Sequence, residues 1–256
     1  MAVRTDNLAL EYVAKLATGS GPGVNGGSPT TTWVANVGDN DITLQNTGGN
    51  FGWTTSSGWA GDGSAGDPYC LCADGTGDYG TFASTIVGSD ADFTVEFWTY
   101  MADGPPAVNS SFLFNVASYT GLRYHVNTSG IGTWTVGKGS VSYTYTADTG
   151  LNGYGAAWQQ HALTYNAATD SLIPYRNGAA SHAAYSVTFG AYTGACRLFA
   201  TDSSMNAMKL ATLRVYSSCL SPDDVAANYA AGVTAASTDG AAPAFTGVRI
   251  THHIAA

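Results

Sequence analysis

Apolar and polar residues alternate in short runs along most of this chain, and Gly, Asn or Asp punctuates the gaps between them. A period of two belongs to strands, whose successive side chains point to opposite faces. Such runs fall at 31–36, 41–45, 69–73, 79–83, 92–101, 111–117, 121–127, 131–137 and 141–146. They continue at 157–166, 171–177, 183–189, 195–200 and 208–216. Turn chemistry every 8–15 residues predicts an all-β sandwich or barrel. The alternation begins early: Leu8, Leu10, Tyr12, Ala14 and Leu16 share one face of "LALEYVAKL", with Glu11 and Lys15 on the other. That reads as a half-buried strand with Glu11 toward water. In "DFTVEFWTYM", Phe93, Val95, Phe97 and Thr99 form one face and Thr94, Glu96, Trp98 and Tyr100 the other. Both faces are partly apolar, as expected of a central strand covered on both sides. Asn177-Gly178 signals a tight hairpin.

One stretch breaks the pattern. In "RVYSSCLSPDDVAANYAAG" (214–232), Ser221 suits a helix N-cap and Pro222 the first helical position. Asp223 and Asp224 sit at the positive end of the dipole, and Gly232 offers a left-handed exit. A single three-turn helix near the end of a strand-built chain is therefore predicted. Beyond it, "VTAASTDGAAPAF" (233–245) reads as a linker of small residues. Residues 246–256 read as a last strand or arm, with Val248, Ile250, His252 and Ile254 on one face. With nothing local to pair with, that strand is expected to close the sandwich's own edge or to join a neighbouring subunit.

Three stretches, in this order, resemble the laminin-G-like branch of the concanavalin A-like lectin and glucanase superfamily. They are "LCADGTGDYGTF" followed by "DFTVEFWTYM", then "WQQHALTYNAATDSLIPYRNGA" (158–179), then "KLATLRVYSSCLSPDDVAANYAAG". The resemblance implies a concanavalin A-like jelly-roll β-sandwich of two antiparallel sheets over residues 1–232, with the short C-terminal helix covering one end. It also makes His161 a packing residue, and calcium a possible accessory ion. Acidic loop residues are present (Asp39, Asp41, Asp62, Asp67, Asp74, Asp78, Asp202), but Ala211 and Thr212 stand where the family often carries acids before Arg-x-Tyr.

The superfamily contains glycoside hydrolases, which need two carboxylates at a set separation. Asp90, Asp92 and Glu96 are the nearest approach, and their spacing differs from the Glu-x-Asp-x-x-Glu pattern. Glu96 reads as structural, and the chain as non-catalytic. No phosphate loop, nucleophile elbow or His-Glu-x-x-His occurs. His252 and His253 are adjacent on a strand and so cannot share a metal. Cys70, Cys72, Cys196 and Cys219 lack the paired spacing of structural zinc sites and read as reduced, mostly buried thiols.

Binding remains. A formal charge of -9, with only Lys15, Lys138 and Lys209 as lysines, disfavours nucleic acid as partner. No apolar run is long enough to insert in a membrane. Sugars stack on aromatic faces, and Trp53 and Trp59 in the Gly/Ser-rich 47–67 stretch, with Tyr119 in "ASYTG", are the candidate ligand-binding residues. The alternative for the tryptophans is packing onto the sandwich edge. The lack of a leader-like stretch, few lysines and Ala, Gly and Thr enrichment lead us to expect a bacteriophage virion protein, a minor tail or capsid-decoration component assembled in the host cytoplasm. Its expected partners are host-surface glycans, other virion proteins or identical subunits.

Overall fold

A computed structural model describes residues 2–14, 32–46, 58–75, 77–87, 91–101, 104–106, 110–115, 122–138, 141–146, 155–187, 189, 196–199 and 207–237. Its first strands are β1 (Leu8–Val13), β2 (Thr32–Trp33), β3 (Ile42–Asn46), β4 (Gly58–Ala60), β5 (Cys70–Ala73) and β6 (Asp78–Phe82). The middle of the chain forms β7 (Phe93–Met101), β8 (Ser110–Asn115), β9 (Leu122–Val126), β10 (Gly132–Lys138), β11 (Val141–Thr146) and β12 (Gly155–Asn166). Then come β13 (Ser171–Arg176), β14 (Ala179–Ala180), β15 (Tyr185–Ser186), β16 (Cys196–Leu198), β17 (Met208–Tyr216) and the helix α1 (Pro222–Ala231). The strands pair into two antiparallel sheets. Sheet A has the order β14-β13-β12-β7-β17-β5-β4, with β1 beside β17 and β15 beside β13. Sheet B has the order β11-β10-β9-β8-β16-β6-β3-β2. This is the expected all-β jelly-roll sandwich with one short helix. Three expectations shift: 31–36 shrinks to β2, 183–189 shrinks to β15, and the Gly/Ser-rich 47–67 stretch contributes β4 to an edge of sheet A.

The inner faces meet in an aromatic core. Phe97, Tyr124 and Trp134 pack ring to ring, with centroids 4.9 to 5.5 Å apart. Phe93, Tyr165 and Phe189 make a second group, and Tyr12, Trp33 and Phe82 a third. Edge-to-face and tilted contacts suit the ring quadrupoles.

The outer face of β7 explains the helix. Thr94 accepts from Leu220 N–H at 2.9 Å and donates to the Ser218 carbonyl at 2.9 Å, fixing the turn before α1. Glu96 accepts from Asn228 Nδ2 of the helix at 2.8 Å. Trp98 stacks on Tyr229 at 5.5 Å and 13°. Each outward residue of β7 from Thr94 to Trp98 thus holds one successive part of the cover. Ser221 and Asp224 close a reciprocal capping box, with Pro222 at the first position. Gly232 does have positive φ (93°), but its ψ of 169° sends the chain out extended rather than into a left-handed turn. The Asn177-Gly178 hairpin lies beneath the helix: a Cβ on Gly178 would come 2.9 Å from Tyr229 Cβ, at a φ of +78°.

Two sequence expectations are corrected here. Glu11 does not face water; it is 0% exposed and its Oε1 accepts from Arg214 Nε at 2.9 Å. The linker expected from 233 begins instead as a packed strap. Val233 is buried and its carbonyl accepts from Thr212 Oγ1 at 3.0 Å. The Ala235 carbonyl accepts from Arg214 Nη2, and Ser237 donates to Glu11 through both N–H and Oγ. Composition marked these small residues as unstructured, yet small size is what lets their backbone lie against the sheet. Residues 238–256, including the expected final strand, fall outside the described residues.

Arg214 therefore sits between two fully buried carboxylates, its Nη1 bonding Glu96 Oε1 at 2.7 Å. Burial works against its charge, but Glu96, Tyr216 and Glu11 overcome this and hold its pKa above the ordinary value. Removing one member of such a cluster strands the others without compensation. Arg214→Leu is expected to cost about 3–5 kcal/mol in urea unfolding. Asp6→Asn, on an exposed Arg4–Asp6 pair, should shift the same curve by less than about 1 kcal/mol.

Candidate functional site

The residues singled out from sequence are scattered by the fold. Trp53 and Tyr119 lie outside the described residues. Trp59 stands on β4 opposite Leu71, and its ring meets Trp33 edge-on at 5.2 Å, partly buried against the inner core. Glu96 has both carboxylate oxygens engaged beneath α1. Asp92 is spent on a turn, its Oδ1 accepting from Ala167 N–H at 2.8 Å, and Asp90 is outside the described residues. His161 is 1% exposed, stacked on Tyr124 at 4.5 Å and beside Phe97 at 5.6 Å. It is a core imidazole.

The cysteines do not converge. Cys70 and Cys72 lie under the outer face of sheet A, their sulfurs 3.7 Å apart, whereas Cys196 belongs to the core between the sheets. All four are free thiols. Among the described residues no three His, Cys, Asp or Glu side chains come together as metal ligands. The acidic loop residues are used locally: Asp62 accepts from Ser64 N–H at 2.8 Å, and Asp78 from Asp74 N–H at 3.1 Å.

A surface that the sequence reading missed is the outer face of sheet B. The ladder places Thr32, Thr43, Thr81 and Arg197 in one row across β2, β3, β6 and β16. Arg197 pairs with position 114 of β8, and Leu113 pairs with Tyr124 of β9, so the next step along brings Arg123 level with Arg197. Thr135 of β10 continues the row beyond Arg123. Gln45 and Tyr79 flank it on one side, and Ser111, His125 and Thr133 continue that same flank across β8, β9 and β10. Each of these residues alternates with a core residue, as the pleat requires.

The face is organised by its own polar contacts. Tyr79 donates its hydroxyl to Gln45 Oε1, and the Arg197 guanidinium lies over the Tyr79 ring at 4.7 Å. Arg123 Nε donates to Ser111 Oγ at 3.0 Å. His125 is only 6% exposed, and its Nδ1 is buried without a hydrogen-bond partner. Arg197 Nε is likewise buried and unmatched. Buried polar atoms normally find partners, and these two, closed off from solvent, are exceptions to that rule. Sequence could have flagged the row only through strand register, because its members come from six separated segments.

Residues 74–226, more than half of the chain, match a laminin G-type family model described as the concanavalin A-like lectin/glucanases superfamily. The chain belongs to that superfamily. Among solved structures it is similar to the binding domain of botulinum neurotoxin DC in complex with rat synaptotagmin II, with a TM-score of 0.62, 12% identity and coverage of 88% of this chain and 52% of that one. It is similar also to a botulinum neurotoxin type C structure described as dependent on two ganglioside molecules for cell entry (TM-score 0.61, 13% identity, 88% and 51% covered). A third is the ligand-binding domain of serotype D in complex with N-acetylneuraminic acid (TM-score 0.60, 12% identity, 88% and 51% covered). The chain spans about half the length of these structures, and at such identity they establish the shared fold. No curated protein sequence matches the chain.

Burial, and secondarily Arg176, lowers the His161 pKa to about 3. The folded state then binds fewer protons than the unfolded chain below pH 6.5, so stability present above that pH is lost as pH falls. Unfolding free energy should drop by about 2 kcal/mol from this group between pH 7 and pH 5, where ordinary carboxylates stay charged. The slope should flatten by that amount in His161→Phe, as read from urea midpoints at each pH.

Proposed function

We propose that this chain is a non-catalytic, lectin-like adhesion module that holds glycans on the outer face of sheet B. The observation that carries the reading is the polar row across that face, with the Tyr79–Arg197 pair in it. An aromatic ring backed by fixed hydrogen-bonding groups is what a sugar needs: an apolar face to stack on and donors to read its hydroxyls. Membership of a lectin and glucanase superfamily supports the choice of ligand, as do the ganglioside and N-acetylneuraminic acid named with the similar toxin structures. Hydrolysis is disfavoured by Glu96, whose carboxylate is committed to Arg214 and Asn228 and sealed from solvent. Trp53 and Tyr119 are retained in this proposal as additional aromatic contacts.

The setting we propose is a virion surface, as a minor tail or decoration component attached to neighbouring subunits. It is supported by the lysine-poor, Gly-rich composition. Proteomic detection of the chain in purified particles would establish that setting, and its absence from them would remove it without touching the glycan reading.

On a glycan array the purified protein should retain a defined subset of saccharides. Tyr79→Ala should weaken that binding at least tenfold by calorimetry while leaving the melting temperature within a few degrees. No reducing ends should appear on prolonged incubation with the bound glycans. Unchanged binding in Tyr79→Ala would remove this face as the site, and released reducing ends would make the protein an enzyme.

A further inference from the structure

The charges on the outer face of sheet B run against those of the chain. The protein has 18 Asp and Glu against 9 Lys and Arg. Yet the row through Thr43, Thr81, Arg197, Arg123 and Thr135, and the Gln45/Tyr79 and Ser111/His125/Thr133 positions flanking it, hold no carboxylate among the described residues. Two arginines stand there instead. Arg197 has the Tyr79 ring as its partner and no ion pair among the described residues. Where the chain needs a buried arginine for structure it behaves differently, giving Arg214 two carboxylates at once. An arginine held over an aromatic ring, half-buried and with no carboxylate for a partner among the described residues, is poised to meet an acceptor that arrives from outside.

Resting on the glycan reading above, we propose that this face selects acidic saccharides, with Arg197 and Arg123 receiving sugar carboxylates. The planar guanidinium fork matches a carboxylate in a two-bond pairing that a neutral hydroxyl cannot reproduce. The two arginines are two strand spacings apart, about 10 Å at the backbone. That suits acidic groups on alternate sugar units of a chain lying across the strands. Tyr79 holds Gln45 through its hydroxyl and one guanidinium over its ring, so a sugar seated there meets a polar set that is already assembled.

The test compares acidic sugars with their own neutral forms. A short oligouronide and a sialylated oligosaccharide are each titrated alongside the same molecule with its carboxylates reduced to alcohols. We expect at least one acidic form to bind tenfold or more tightly than its reduced counterpart, with a preference that shrinks as salt is raised. Arg197→Gln should abolish the preference, and Arg123→Gln should reduce it. Thr81→Glu, which sets a carboxylate beside Arg197 in the ladder and leaves both arginines in place, should reject the acidic form and spare the neutral one. Equal binding of acidic and reduced forms, or a preference that survives both Arg197→Gln and Thr81→Glu, would overturn the proposal and leave the glycan site standing. Binding of neither form, together with a blank glycan array, would overturn the site itself.

Discussion

The structure depends on one buried guanidinium. Arg214 joins three strands of sheet A, β1, β7 and β17, and through Asn228 and Ala235 it ties in the helix and the strap. Taking three charges out of water costs several kcal/mol per ion before any pairing is counted. The cost is tolerable here because the acceptors are filled: Glu11 by Arg214 and Ser237, Glu96 by Arg214 and Asn228. The three charges come from positions 11, 96 and 214, so they meet only when distant segments pair in the right register. A slip of β1 by one residue would turn Glu11 into the aromatic core, away from the guanidinium that neutralises it. The cluster is therefore a check on assembly as much as a source of cohesion.

Much of this architecture was legible beforehand, and the reasons are local ones. The alternation in 208–216 and 141–146 marked those strands to the residue, because one face of each must be apolar. Ser221, Pro222 and Asp224 announced a helix start, since capping chemistry acts within a single turn. What failed was everything that a distant segment decides. Glu11 looked solvent-facing because a carboxylate on a half-buried strand ordinarily is, and nothing within ten residues hints at Arg214. Residues 233–237 looked like a linker because their contacts are made by backbone groups, which composition cannot reveal. β4, three residues long, carries too little pattern to be seen. The outer face of sheet B was invisible for the same reason as the ion cluster. No two of Gln45, Tyr79, Arg123 and Arg197 are near in sequence, and only the order of strands in the sheet unites them.

Electrostatics divides the molecule's behaviour by distance. A net charge of -9 repels anions that approach from afar, and salt screens that repulsion beyond about 10 Å. Within contact range the two guanidiniums of the polar row set the local field, and no member of that row among the described residues is a carboxylate. Such a molecule gains little from long-range steering of anions. Association should then be governed by stereochemical fit more than by the speed of encounter.

The strap has a spatial corollary. Ser237 is pinned to Glu11 behind sheet A, while the polar row looks out from sheet B on the opposite side of the sandwich. The last described residue of the strap thus lies at the rear of the domain. A carrier fused at Ser237 would sit on the side opposite the polar row, so that copies mounted side by side would all turn that row away from their support.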